Sequence, residues 1–229
     1  MKNFIHEGFK LGKNKVSEPT ENKYFPKDKN QLSEILKKRL AEDENANLNN
    51  IDTSNITNMS YLFKYLDPHN IDISEWDVSN VEDMNGMFYE CKNFNCDLSD
   101  WDVSNVEDMN GMFLGCRLFN CNLSGWNVSK VEDMSEMFAE CKNFNSDLSD
   151  WNVSNVEDMN YMFDSCNVFE GKGLENWNVS NVEDMTSMFY KCESFNSNLS
   201  KWNISKVERM DNMFYGCNSL KNKPDWYKG

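Results

Sequence analysis

The residues of this chain able to do chemistry recur at a fixed interval. A Glu-Asp pair stands at Glu82/Asp83, Glu107/Asp108, Glu132/Asp133, Glu157/Asp158 and Glu183/Asp184, and a cysteine at Cys91, Cys116, Cys141, Cys166, Cys192 and Cys217. Paired carboxylates catalyse acid–base steps when their surroundings push their proton affinities apart at one point in space. A cysteine becomes a nucleophile beside a base. Identical pairs repeated along a chain do neither. The two histidines, His6 and His69, lie on different segments with no partnered Cys or Ser motif, so no nucleophile–base pair is expected. No phosphate-binding glycine loop or dinucleotide motif is present, and no cofactor is expected. The C-x4-C pairs Cys91/Cys96 and Cys116/Cys121 lack His or further Cys, a poor match to zinc spacing. Cys96 and Cys121 occupy one column a repeat apart. They are expected to be neighbours, able to pair only in an oxidising compartment. The chain reads as a non-enzyme.

The elements that position these residues are repeats. Trp76, Trp101, Trp126, Trp151, Trp177 and Trp202 are spaced by 25 residues with a single 26, and the cysteines keep step. The consensus is L-S-x-W-D/N-V-S-N/K-V-E-D/R-M-x-x-M-F-x-x-C-x-x-F-N, and twelve of the fourteen Met fill its two Met columns. A degenerate copy begins at Leu48, with Ile51, Met59 and Phe63 in column and Leu66 in place of Cys. About seven rungs run over roughly 48–223, with one inserted residue near Gly171 to Gly173.

Inside a rung, Trp101 and Val103 have the two-residue spacing of a strand. Val106, Met109, Met112, Phe113 and Cys116 have the spacing of a helical stripe. Ser104 with Glu107 reads as a capping box, repeated at Ser79/Glu82, Ser129/Glu132, Ser154/Glu157, Ser180/Glu183 and Ser205/Glu208. The predicted fold is therefore a leucine-rich-repeat-like solenoid of short parallel strands and helical turns. The Trp, Met and Cys columns form its core, because stacked rungs bury what one rung cannot. The Asn95, Asn120, Asn145 and Asn196 column reads as an amide ladder, and its break at Glu170 predicts a local bulge.

The unit W-D/N-V-S-N-V-x-D-M-x-x-M-F-x-x-C-x-x-F-N resembles the BspA-like leucine-rich-repeat surface proteins, common in mycoplasmas and host-associated bacteria. The resemblance covers about residues 48–220. It implies a solenoid and, for some members, adhesion to host or neighbouring-cell proteins at the cell surface; it implies no catalytic residues.

Residues 1–47 are not repeat. A helix is expected from about Asp28, with Asp28 and Gln31 as a partial capping box and Leu32, Ile35, Leu36 and Leu40 as its apolar stripe, serving as a cap over the first rung. Met1 to Ser17 reads as a second cap helix, a partner-docking peptide or a frayed tail. The division is 1–47 cap and 48–229 repeats.

The net charge of −15 argues against direct nucleic-acid binding. No apolar run is long enough to span a bilayer, and no secretory signal or lipid-anchor Cys is seen, so a cytoplasmic location is expected. The Glu of each pair is explained as a cap. The Asp column (Asp83, Asp108, Asp133, Asp158, Asp184) is explained only as a solvated face or as an anionic stripe for a basic partner. Three functions follow: a protein-interaction module, a surface adhesin, or an anionic nucleic-acid mimic that blocks a basic protein. A tail-to-tail homodimer through the C-terminal rung is also expected, unless Trp226 and Tyr227 close that end.

Overall fold

In the computed structural model, residues 23–64, 66–68 and 70–228 are described. His6, His69 and the Met1 to Ser17 segment lie outside them. The helix expected near Asp28 is α1, Lys29–Glu42. Asp28 caps it by accepting from the Gln31 N–H at 2.9 Å, and the Gln31 side chain accepts from the Lys27 N–H at 3.1 Å. Leu32 and Leu36 are fully buried against the first rung, which Lys29 also grips by donating to Asn58 and Ser60.

The expected strands and helical turns do not form. Among the described residues the only helical elements are α1 and one 3-10 turn at Leu174–Asn176. Successive rungs meet through isolated parallel bridges, and no sheet is built among the described residues. The leucine-rich-repeat-like description is thereby overturned. The bridges also fall elsewhere than predicted. From Asn58 on they join Asp83, Asp108, Asp133, Asp158 and Asp184 in series, ending on Arg209; two more lie at the first rung, Tyr24 to Ile51 and Asn47 to Asp72, and the Trp-x-Val segments from Trp76 on carry none.

The reason lies in local side-chain competition. Ser, Asn and Asp bond the nearby backbone and divert it from helix or ladder. The rungs before the insertion each hold three such turns, and the two after it hold two. Asp97 accepts from the Ser99 N–H (3.0 Å), Asp102 from Ser104 (3.1 Å) and Asp108 from Asn110 (2.8 Å). Ser104 is therefore the third residue of a turn and not a helix cap. Glu107 donates its own N–H to the Glu82 carbonyl one rung back, at 2.8 Å. That replaces the capping boxes.

The three-residue apolar spacing is also a turn signal here. Leu98–Trp101, Val103–Val106, Met109–Met112, Phe113–Cys116 and Cys116–Phe119 each close by one i to i+3 bond. Left-handed residues sit inside two of these turns, at Gly111 (φ 54°) and Gly115 (φ 77°), with Glu136, Tyr161 and Ser187 taking the Gly111 place in later rungs. A positive φ at the third turn position defines a type II turn and ends any helix.

What the sequence predicted of the core is present. Every Trp, Val, Met, Phe and Leu in the repeat columns of the central rungs is buried, while Leu118 and Val168 outside those columns are exposed. Phe88, Phe113, Phe138, Phe163, Phe189 and Phe214 stack at 5.5–5.7 Å in near-parallel planes. Each Trp indole N–H donates to the Leu-column carbonyl one rung back, as Trp126 does to Leu98 at 3.0 Å. The buried thiols do more than fill space: Cys141 donates to the Phe113 carbonyl at 3.0 Å, and the other column cysteines do likewise. The Asn ladder is also real, with the Asn95 and Asn120 side chains each accepting from the backbone N–H one rung on at 2.9 Å. At the insertion, Gly171 and Gly173 turn left-handed and lead into the 3-10 turn.

Candidate functional site

The bridge column is also the acidic column. Each carboxylate is fixed by its own turn: Oδ1 of Asp83, Asp108, Asp133, Asp158 and Asp184 accepts from the N–H two residues on at 2.8–2.9 Å. Backbone bonds on both sides hold the column in register. Met109 donates to the Asp133 carbonyl at 3.0 Å, while Glu132 donates to the Glu107 carbonyl at 2.8 Å. A one-rung repeat therefore sets five carboxylates in line.

The two ends of the line are capped, one by an amide and one by a cation. Asn58 stands in the first position, donating to Asp83 Oδ2 at 2.6 Å. Arg209 stands in the last, paired with Asp184 at 2.8 Å, and leaves that aspartate 6 % exposed. Asp108, Asp133 and Asp158 between them are half-buried. Burial, with repulsion from neighbouring column members, raises Asp108 and Asp158 above the ordinary carboxylate value. Glu136 beside them is raised by burial and then by Asp133, Asp164 and Asp158. It lines a groove of about 240 Å³ with Leu114, Ala139, Glu140, Tyr161 and Asp164. Sequence reading missed this groove, because the Gly111 column carries no single residue type; the signal available was the run of acids at Glu136, Glu140 and Asp164.

The remaining candidates divide cleanly. Trp76, Trp101, Trp126, Trp151, Trp177 and Trp202 are core. So are Cys91, Cys116, Cys141, Cys166 and Cys192, whose thiols burial pushes up, Cys91 to about 12. Cys217 in the last rung is only partly buried. Cys96 and Cys121 are brought together, the Cys121 thiol donating to the Cys96 carbonyl, and both are free thiols. Among the described residues no group of three or more His, Cys, Asp or Glu is placed to hold a metal ion. No described helix is long and apolar enough to cross a membrane. A concavity of about 1030 Å³ opens at the insertion between Glu170, Lys172, Glu175, Asn196, Asn198 and Lys221.

No curated protein matches this sequence. A family model does, twice, over residues 30–149 and 119–227. The two matches overlap and cover α1 from its second residue and every full repeat. The chain belongs to the family described as Mycoplasma protein of unknown function, DUF285.

Proposed function

We propose that this chain is a non-enzymatic protein-interaction module whose Asp column receives a basic protein segment. One observation carries the reading. An Asx turn needs only a side-chain oxygen, and Asn supplies it as well as Asp. In the W-x-V column the chain uses them interchangeably: Asp77 and Asp102 hold Ser79 and Ser104 just as Asn127 and Asn152 hold Ser129 and Ser154, at 3.1–3.2 Å. The bridge column uses Asp at five consecutive rungs, where stacking like charges is unfavourable. Turn geometry explains the oxygen and leaves the charge to another purpose. A row of Lys or Arg from a partner relieves the repulsion and finds acceptors already fixed.

The test is Asp108→Asn, Asp133→Asn and Asp158→Asn together, titrated with a fluorescent Lys/Ser peptide at low and high salt. Binding should weaken by about tenfold, a loss of about 1.4 kcal/mol, with the melting temperature unchanged or raised. Equal, salt-insensitive affinity in both proteins would return the column to solubility alone.

The resemblance to BspA-like surface proteins supports a second reading, in which the same flank adheres to basic proteins of a host or neighbouring cell. Fractionating native cells distinguishes the two: recovery with the cell surface favours adhesion, recovery in the cytosol an internal partner.

A further inference from the structure

The Asn ladder is interrupted at one rung, and a side chain is released there. Asn95, Asn120 and Asn145 each lend Oδ1 to the backbone N–H one rung on, at 2.9–3.0 Å. Glu170 is next in the column. The following N–H, of Asn196, bonds the Glu170 carbonyl at 3.3 Å instead of its side chain. The Glu170 carboxylate is left exposed, with no partner among the described residues. Asn196 then resumes the ladder, accepting from the Lys221 N–H at 3.4 Å.

The inserted residue lies beside that break. Gly171 and Gly173 press against Phe195 and Ser149, so closely that a Cβ on either would lie 2.4 Å from its neighbour. The bulge carries its long side chains, Lys172 and Glu175, on the exposed side. With Glu170 they wall the concavity of about 1030 Å³, which runs on past Asn196 and Asn198 to Lys221. Insertions in a solenoid fall in loops and often mark its binding face.

Only Glu, Lys, Asn, Ser and Gly line this concavity. Asn196 and Asn198 commit Oδ1 to the N–H groups of Lys221 and Ser200, which turns each side-chain amide into a donor toward the opening. Neither Nδ2 group has a partner among the described residues, nor has the Lys221 ammonium. The Glu170 carboxylate supplies the opposite chemistry, since it only accepts. Glu175 holds the Ser197 hydroxyl at 3.5 Å, and Lys172 is tied to Asp147.

We propose that this concavity is a binding site for a neutral oligosaccharide. A sugar hydroxyl donates and accepts at once, and here a carboxylate acceptor stands beside amide and ammonium donors. An anion meets Glu170 and Glu175, a cation meets Lys172 and Lys221, and an apolar ligand finds no apolar side chain. The lining comes from three successive rungs, about 10 Å along the stack at the spacing of paired strands. That length suits two or three linked sugars better than one. The site is separate from the Asp column and does not depend on how that column is read.

The experiment is a titration of the full chain with maltotriose, cellotriose and chitotriose, each followed by backbone amide NMR, beside a glycerol control of equal hydroxyl content. The Ser194, Asn196, Ser197 and Asn198 signals should shift with at least one trisaccharide and not with glycerol. Glu170→Asn restores the ladder residue, so it should keep the melting temperature while weakening binding by about tenfold. Glu175→Gln, on the opposite side of the bulge, should weaken binding in the same direction and serves should the first variant prove unstable. The Asn triple variant of the Asp column should bind the sugar as the parent does, so failure here and failure of the basic-partner reading are told apart. The proposal is overturned if none of the three sugars shifts these amides at millimolar concentration, if glycerol shifts them equally, if the shifts map elsewhere, or if well-folded Glu170→Asn binds as tightly as the parent.

Discussion

Asp108 and its column neighbours show one residue type doing two jobs, shaping the backbone and carrying charge. Asn keeps the first and removes the second, which is why the triple Asn change is a clean probe. The Trp column invites the opposite kind of change. Trp126→Ala should cost about 3–5 kcal/mol by chemical denaturation, as for other core aromatics. Trp126→Phe keeps most of the ring but removes one of the two hydrogen bonds to the Leu98 carbonyl, which keeps the Trp101 N–H, and should cost about 0.5–1.5 kcal/mol for that bond. Equal losses in the two variants would mean that the indole N–H bond contributes nothing.

At the scale of the element, the turn is the building unit, and its left-handed position varies instructively. Gly111→Ala meets only the Leu114 side chain at 3.8 Å or beyond, so backbone strain of about 1 kcal/mol is its whole effect. Gly173→Ala drives a Cβ to 2.4 Å from the Ser149 nitrogen and should cost clearly more. Glu136 holds φ 56° with a side chain, and Glu136→Gly should stabilise by about 1 kcal/mol in thermal melts.

These positions also show how far the sequence could be read. Periodicity announced the register, the buried columns, α1 and the Asn ladder, because each depends on which residue types repeat. It misled on the element because a three-residue apolar spacing serves a helical stripe and a chain of i to i+3 turns equally. Ser-x-x-Glu has the same ambiguity. The deciding signal was the Asp or Asn two residues before each of those Ser, which bonds the backbone first. The Asp column was legible as a row, but its half-burial and its capped ends depend on bridges that the sequence did not reveal.

At the scale of the whole molecule, acid should act in two opposed phases. Asp108 and Asp158 bind protons more tightly folded than unfolded. Their contribution is therefore greatest at low pH and is lost as pH rises from the ordinary 3.8 through their raised values. Asp147 is held down to about 2 by its hydrogen bond from Lys172, and Asp102 is lowered by the hydroxyl and N–H of Ser104. Their contribution is full above 3.8 and disappears as pH falls toward 2. The melting temperature should rise as neutral solution is acidified toward 3.8 and fall beyond it. In the Asn triple variant the rise should shrink while the fall remains.

The insertion at Gly171 to Gly173 has one more consequence, which concerns change in length. Each rung touches its neighbours through the same contacts, so a gene that gains or loses a whole repeat alters the number of contacts and not their kind. A single added residue has no such freedom. It must be expelled where the rings are least disturbed, and this chain expels it through two left-handed glycines between Phe169 and Trp177 while Trp151 still stacks on Trp177 and Phe163 on Phe189. Lineages of such chains should therefore differ freely by whole multiples of the repeat, and should collect odd-length changes only at this one corner of the coil.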